Sequence, residues 1–385
     1  MMKKEIIYLD HAAATPIDKK VLSAMQPYYV EKFYNPSSPY LPAVEVRQDY
    51  DSAKQKIANL IGARSGDVTI TAGATESINL AFNGISGSVI TTEIEHQAVL
   101  SCAKKLKHDY LPVDKHGLVL VDNLKKIIKD DTQLISIGLA NNEIGTIQPI
   151  REIAEIVKKE RQERLINGND MSICLHSDAS QGFNLLDVNV ARLGVDMLTL
   201  NAGKVYGPKQ VGLLWSNSQV KLIPQITGGG QEDGFRSGTE NVAGVVGFAK
   251  ALEIASEHRA FEAKRLLALK NHLRDFLIQQ FPEAVPSGHL KHQLDNFLHI
   301  SFPNLDGERL VFLLEDEGVL VATGSACAAN KGSGSHVLKA IGLTDEISNG
   351  SLRMTLGQMS NEENIKSAGD IIAKVVKKEY QRMAS

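Results

Sequence analysis

The sequence has few cysteines and lacks any long apolar segment. Its three cysteines, Cys102, Cys174 and Cys327, show no C-x-x-C spacing, which argues against a zinc knot and against a disulfide framework. No apolar run approaches the length of a membrane-spanning helix. The amino terminus also lacks the long apolar segment of a signal peptide, so we expect a cytoplasmic protein that contacts no membrane and holds no metal.

The chain also lacks a surplus of positive charge. Its formal net charge is −3 over 385 residues, which offers no basic surface for nucleic acid. The hydrophobic fraction of 43% and the charged fraction of 23% are those of an ordinary globular protein. The sequence contains no internal repeat or low-complexity tract, and its length favours two domains.

Strand and helix patterns alternate through the first half of the chain, which favours a mostly parallel sheet covered by helices on both faces. The pattern changes after the three glycines at 228–230, where a helical region (241–280) precedes an alternating strand at 296–302. We therefore predict an α/β protein with a large domain (16–261). A smaller α+β domain would contain residues 1–15 and 262–385.

Polar side chains lie just past the predicted strands of the large domain: His96, Asn142, Asp178, Gln181 and Lys204. In an open α/β sheet the ligand crevice lies outside these carboxyl ends. A desolvated lysine can form a Schiff base with a carbonyl, and a carboxylate can keep a pyridine nitrogen protonated, as pyridoxal phosphate (PLP) requires. An Asp–Lys salt bridge at the sheet edge explains Asp178 and Lys204 equally well, but the whole set favours a PLP site.

Two segments are candidates for binding a phosphate group. Ala74 and Thr75 lie where a strand turns into a helix, and backbone amides at a helix N-terminus bind anions. Any helix cap in an α/β protein shows the same pattern, so this signal is weak by itself. The segment Arg236-Ser237-Gly238-Thr239, which follows three glycines, is a second candidate.

Cys327 lies among small residues between positions 321 and 334, where nothing predicts a core. We expect an exposed thiol on a mobile segment, which can act as a nucleophile, whereas Cys102 and Cys174 fit structural roles. Arg353 lies on an alternating strand and could clamp an amino-acid carboxylate, although a solvent-facing arginine fits the pattern equally well. Asn35, in a proline-flanked loop, is a second candidate carboxylate contact.

The motifs resemble those of the cysteine desulfurases of the NifS/IscS type and occur in the family's order across nearly the whole chain. They include Y-L-D-H-A-A-A-T-P, T-A-G-A-T-E-S-I-N-L, E-I-E-H-Q-A-V, N-N-E-I-G, H-S-D-A-S-Q, G-K-V-Y-G-P-K, G-S-A-C and S-L-R-M-T-L-G. The spacing after Cys327 resembles the long-loop class I branch. The resemblance implies the type I fold of PLP enzymes and an obligate homodimer.

The resemblance also implies roles around the cofactor ring. Lys204 would form the Schiff base with PLP and later move the Cα proton of the substrate. His96 would stack on the ring and act as an acid or base. Asp178 would hold the pyridinium proton, while Gln181 and Asn142 would contact the ring oxygen.

Further implied roles concern the phosphate and the substrate. Ala74 and Thr75 would bind the phosphate, and Thr239 would reach it from the partner subunit. Arg353 and Asn35 would hold the substrate carboxylate.

The implied reaction removes sulfur from L-cysteine, giving L-alanine and a persulfide on Cys327. The sulfur would pass to an acceptor protein, such as an iron–sulfur scaffold or a sulfur carrier, for cluster assembly or tRNA thiolation.

The sequence departs from the family just before the lysine. The family usually has Ser-Gly-His there, whereas this chain has Asn201-Ala202-Gly203. A hydroxyl and an imidazole that would bind phosphate are missing, although Asn201 can replace the hydroxyl and Gly203 can let a backbone amide or a water approach. We therefore expect PLP to be held more weakly than in typical members.

Three other functions are compatible with these residues. A selenocysteine lyase or sulfinate-releasing relative would depend less on Cys327. An aminotransferase would form pyruvate rather than alanine and sulfide. A scaffold that kept the fold and lost turnover would remain colourless with added PLP.

Overall fold

The computed structural model describes residues 6–64, 67–324 and 334–384. The strands are β1 (Ile7–Tyr8), β2 (Val68–Thr71), β3 (Ser88–Thr91), β4 (His108–Tyr110), β5 (Thr132–Ser136), β6 (Cys174–Asp178), β7 (Met197–Asn201), β8 (Gly212–Ser216), β9 (Val285–Ser287), β10 (Phe297–Ser301), β11 (Val319–Leu320) and β12 (Ser351–Thr355). The α-helices are α1 (Lys19–Met25), α2 (Pro27–Val30), α3 (Leu41–Leu60), α4 (Ala74–Phe82), α5 (Gln97–Ala103), α6 (Leu124–Ile127), α7 (Ile150–Ile166), α8 (Val190–Leu193), α9 (Val242–Gln280), α10 (Gly307–Asp316), α11 (His336–Ala340), α12 (Asp345–Ser348) and α13 (Glu362–Ala384). No helix of this part of the chain has both the length and the apolar character that a membrane crossing needs.

The centre of the protein is a seven-stranded sheet with the strand order β2-β8-β7-β6-β5-β3-β4. Neighbouring strands from β7 to β4 run parallel, whereas β8 pairs antiparallel with both β7 and β2. The prediction of a mostly parallel α/β sheet is confirmed. Because β3, β5, β6 and β7 run in one direction, their carboxyl ends meet at one edge of the sheet, where the predicted site residues follow them.

Alternating apolar side chains on the strands explain why helices cover both faces of this sheet. Ile135 and Leu198 pack into a core with α3, α7 and the first part of α9. Their neighbours Leu134 and Met197 point the other way and pack against α4 and α5. The parallel strands are therefore buried on both faces, which matches their continuous apolar sequences.

A second core forms around the antiparallel strands β9, β10 and β12. The later part of α9, together with α10 and α13, packs on this sheet, and β1 pairs in parallel with β11 beside it. The predicted division into residues 16–261 and residues 1–15 with 262–385 stays a prediction, since α9 continues through residue 262 without interruption.

We predict that Leu273→Ala destabilises the second core. The Leu273 side chain is 1% exposed within it, and truncating a buried leucine to alanine costs about 2–5 kcal/mol because a cavity remains. Urea unfolding followed by circular dichroism measures the change. Leu267→Ala is the matched control, because Leu267 lies on the same helix and is 37% exposed; equal losses in the two variants would contradict the assignment of Leu273 to the core.

Candidate active site

The carboxyl ends of the parallel strands open into a cavity of about 260 Å³. Five of its lining residues are those that the sequence predicts past the strand ends: His96, Asn142, Asp178, Gln181 and Lys204. His96 and Lys204 are about a hundred residues apart in the sequence, yet the sheet brings the whole set together. The structure therefore places the predicted groups at a single site.

The amine of Lys204 lies against the segment that follows β1. Lys204 ends a short 3₁₀ turn after β7, and its Nζ donates hydrogen bonds to the main-chain oxygens of Ala12 (2.6 Å) and Ala13 (2.7 Å). The Gln181 side chain donates to the same Ala12 oxygen at 3.1 Å. The half-buried amine is thus held at the wall of the cavity, where a carbonyl group of a ligand can reach it.

The His96 imidazole is oriented by the start of α5. Its Nδ1 accepts a hydrogen bond from the amide N–H of Ala98 at 3.1 Å. Burial lowers the pKa of His96, against the opposing effect of the Asp178 carboxylate, and the Lys204 charge lowers it further. The neutral ring, with its proton on Nε2, is therefore the favoured form near pH 7.

Asp178, the last residue of β6, is fixed by a hydrogen bond from the amide N–H of Ser180 to its Oδ1 (2.9 Å). Behind it the fully buried His176 bonds to the hydroxyls of Ser136 (2.8 Å) and Thr199 (2.9 Å). Burial lowers the pKa of His176 to about 4. Sequence reasoning missed His176 as a support for the strand end; its position two residues before Asp178, on the same face of the strand, is the signal that points to it.

Glu95 is a second residue that the sequence analysis missed. Its carboxylate lines the cavity, is buried, and accepts hydrogen bonds from the Thr92 hydroxyl (2.8 Å) and the Gly138 amide (3.0 Å). Burial raises the pKa of Glu95 to about 7. Its place directly before His96 is visible in the sequence, but its burial is not.

Arg353 is buried at the cavity and does not face solvent, so the alternative of a solvent-facing arginine on β12 is wrong. The residue is 3% exposed. It donates to Asp10 Oδ1 at 2.7 Å and to the main-chain oxygen of Asn142 at 2.9 Å, while its Nε has no hydrogen-bond partner. The physical reason is that the segments of Asp10 and Asn142, which accept its hydrogen bonds, pack against the side chain, while bridges from Asp10 and Ala322 pair with β12.

The candidate phosphate residues lie at a neighbouring cavity of about 620 Å³. Ala74 and Thr75 begin α4 there, directly after Gly73, whose φ of 138° is one that residues other than glycine rarely adopt. Asn201 Oδ1 accepts the amide N–H of Gly203 at 3.0 Å, and both residues line this cavity. Lys209 also lines it, although the sequence analysis did not single it out.

Two predicted residues do not line these cavities, and a third lies outside the described part of the chain. Asn35 and Thr239 are exposed, and neither lines the cavity at Lys204. Cys327 lies outside the described residues. Cys102 is buried, and burial raises the pKa of the half-buried Cys174 thiol to about 11, so neither is an activated thiolate.

The residues at the two cavities fit PLP. A lysine amine suits its aldehyde, a carboxylate suits its pyridinium nitrogen, and an imidazole and two amides suit its ring and ring oxygen. An added Cβ at Gly73 would meet no atom within 4 Å, so the start of α4 has room for a phosphate. Among the described residues no group of three or more His, Cys, Asp or Glu side chains is arranged to hold a metal ion.

The chain is similar to known proteins over nearly its whole length. The sequence profile of the aminotransferase class-V family matches residues 7–367. The cysteine desulfurase IscS of Dictyoglomus turgidum is 40% identical, with 98% of this chain and 96% of the relative aligned. A solved NifS-like protein superposes with a TM-score of 0.88 at 35% identity, covering 97% of this chain and 99% of that one. SspA, solved in complex with cysteine, has a TM-score of 0.77 at 32% identity, covering 91% of this chain and 98% of SspA.

Fold and site together define a PLP-dependent enzyme of fold type I. The chain belongs to the class-V aminotransferase family and, within it, to the cysteine desulfurases of the IscS and NifS type. Its cofactor is PLP, and its activity is that of a cysteine desulfurase.

We predict that His176 makes the protein less stable as the pH falls. Its pKa is about 4 in the folded protein and about 6.5 in the unfolded chain, so the unfolded state binds the extra proton between these values. From about pH 7.5 to about pH 5, this linkage removes about 2 kcal/mol of unfolding free energy. Urea unfolding at both pH values should show the loss reduced by that amount in His176→Gln but unchanged in His258→Gln, whose side chain is exposed; an unchanged loss in His176→Gln would contradict the prediction.

Proposed function

We propose that this enzyme takes sulfur from L-cysteine at the cavity that holds Lys204, and that Cys327 accepts the sulfur. The observation that carries the proposal is that the Lys204 amine, the Asp178 carboxylate and the buried Arg353 guanidinium line one cavity of about 260 Å³. An amine for the aldehyde, an acid for the ring nitrogen and a cation for an amino-acid carboxylate are thus within one small space.

Around the cofactor, Lys204 would hold the aldehyde carbon, and Asp178 would keep the pyridine nitrogen protonated. His96 would cover a ring face, and Asn142 and Gln181 would bind the ring oxygen. Bound PLP supplies an electron sink for negative charge at the substrate Cα.

At the phosphate end, the first amides of α4 and the Thr75 hydroxyl would bind the group, as helix N-termini bind anions. Ala74, Asn201 and Gly203 would complete the cradle in this chain. Thr239, which is exposed, would contribute from the partner subunit.

The substrate carboxylate would bind Arg353, whose Nε remains unpartnered, together with Asn35. The Lys204 amine would remove the Cα proton, and His96 would donate a hydrogen bond through its Nε2–H. The Cys327 thiolate would attack the substrate sulfur, so that a new S–S bond forms while the Cβ–S bond breaks. The electron pair left on carbon takes up a proton, which gives L-alanine and a Cys327 persulfide.

We further propose a homodimer in the cytoplasm that passes the persulfide sulfur to an acceptor protein, such as an iron–sulfur scaffold or a sulfur carrier. The segment around Asn35 supports a subunit interface because it exposes large apolar side chains: Tyr29, Val30, Phe33, Tyr40 and Leu41. Exposed apolar surface of this kind marks protein contacts.

We predict that Cys327→Ala abolishes sulfide release from L-cysteine, because no thiolate remains to attack the substrate sulfur. The yellow cofactor absorbance, and its fixation to Lys204 by borohydride, should persist. Cys174→Ala is the matched control and should retain activity, since this thiol lies within β6. Continued sulfide release by Cys327→Ala, measured as sulfide and alanine with a thiol reductant present, would favour a lyase that does not need the Cys327 thiol.

We predict that Gly203→His tightens PLP binding. A Cβ at Gly203 would meet no atom nearer than 3.5 Å, so an imidazole can be added beside the proposed phosphate cradle. One charge-assisted hydrogen bond contributes about 1.5–3 kcal/mol, so the dissociation constant should fall by at least about tenfold. Spectroscopic titration of the apoenzyme with PLP measures this; Gly203→Ala is the control that adds bulk without a donor, and an unchanged dissociation constant in Gly203→His would contradict the prediction.

A further inference from the structure

The buried carboxylate of Glu143 takes no part in the proposed chemistry. Glu143 directly follows Asn142, which lines the cavity. Glu143 belongs to the turn after β5, is fully buried, and its Oε2 has no hydrogen-bond partner. Burying a carboxylate is costly unless it is compensated, and burial raises the pKa of Glu143 to about 7. Packing alone does not explain why a carboxylate is buried here, but the contacts of Glu143 indicate a role.

Glu143 contacts both ends of the span that carries Cys327. The Ser335 hydroxyl donates a hydrogen bond to Glu143 Oε1, and Ser335 is the N-cap of α11. On the other side, Gly324 packs directly on the carboxyl group, because a Cβ there would lie 2.6 Å from Oε1 and 2.9 Å from Oε2 of Glu143. The Glu143 side chain therefore contacts Gly324, the last described residue before Cys327, and the hydroxyl of Ser335 after it.

The turn that carries Glu143 is itself rigid and continuous with the cavity. Asn141 Oδ1 accepts the amide N–H groups of Glu143 and Ile144, both at 2.9 Å, and its Nδ2 donates to the Ile94 oxygen at 2.7 Å. The neighbouring Asn142 lines the cavity, and its main-chain oxygen binds Arg353. A displacement of the span relative to Glu143 is therefore also a displacement relative to the groups proposed to hold the substrate.

Further contacts tie the same two ends to the site. The end before Cys327 forms a backbone bridge between Ala322 and Arg353. The end after it places His336 Nε2 3.0 Å from the main-chain oxygen of Glu95, next to His96. Glu143 itself contacts both ends, through Ser335 and Gly324.

We propose that Glu143 is a positioning residue that holds Gly324 and Ser335 together and so sets where the Cys327 span begins and ends relative to the substrate cavity. The inference rests on the proposed role of Cys327. It assigns to Glu143 no contact with substrate or cofactor.

The test uses the full-length, PLP-loaded enzyme and measures the rate constant of Cys327 persulfide formation in a single turnover, by quenching and mass spectrometry. Glu143→Ala should lower this rate constant about tenfold or more, the scale of a lost hydrogen bond to a charged group. The cysteine concentration that half-saturates the cofactor spectral change should not move, and neither should the PLP dissociation constant. Glu143→Gln, which keeps an acceptor for Ser335, should retain most of the rate.

Two further variants probe the contact from its other side. Ser335→Gly removes the hydroxyl but keeps a residue that serves well as an N-cap, and it should slow persulfide formation as Glu143→Ala does. Gly324→Ala should do the same because its methyl group displaces the carboxylate, whereas Gly334→Ala should not, because its nearest atom would be 3.8 Å away. These variants also test the proposal if Glu143→Ala fails to fold.

An unchanged rate in Glu143→Ala and Ser335→Gly, or equal losses in Glu143→Ala and Glu143→Gln, would overturn the proposal. Equal losses in Gly324→Ala and Gly334→Ala would also overturn it. Glu93→Ala, at an exposed glutamate, is the control for loss of an acidic side chain and should have no effect. Persulfide-independent sulfide release by Cys327→Ala would instead overturn the proposed function, so the two failures are distinguishable.

Discussion

The buried guanidinium of Arg353 is the constraint on which the arrangement of the site depends. A buried charge is tolerated only when it is paired and hydrogen-bonded. Arg353 meets this need with Asp10, 343 residues away, and with the oxygen of Asn142, 211 residues away. Three distant segments must therefore meet at one point. The same amino-terminal segment supplies the carbonyls of Ala12 and Ala13 that hold the Lys204 amine, so guanidinium and amine share a cavity.

Burial also decides which protonation states surround that cavity. It lowers the pKa of His96 and raises the pKa of Glu95, which favours their neutral forms. A neutral imidazole has one ring nitrogen that accepts a hydrogen bond and one that donates. Because Nδ1 of His96 accepts the hydrogen bond from the Ala98 amide, the proton of the neutral ring lies on Nε2, which can donate a hydrogen bond to a ligand. The helix start at α5 thus selects the tautomer.

Much of the fold and part of the site follow from local sequence patterns. The long helix predicted from about residue 241 to residue 280 is α9, and the alternating strand predicted at 296–302 is β10. The groups past the strand ends meet because parallel strands share a carboxyl edge. In contrast, the sequence did not decide whether Arg353 binds a carboxylate or faces solvent. It also did not single out Glu95 or His176. Their burial depends on elements far away in the chain.

The sequence by itself determined the order of strands and helices and the residue types at the strand ends, because hydrophobic periodicity and turn residues act over a few neighbouring positions. It also determined the family, through motifs spread over nearly the whole chain. Only the tertiary structure decided that Arg353 is buried, that the Ala12 and Ala13 carbonyls hold Lys204, and that Glu143 joins Gly324 to Ser335. These contacts join residues far apart in sequence, and local patterns contain no information about which distant groups will meet.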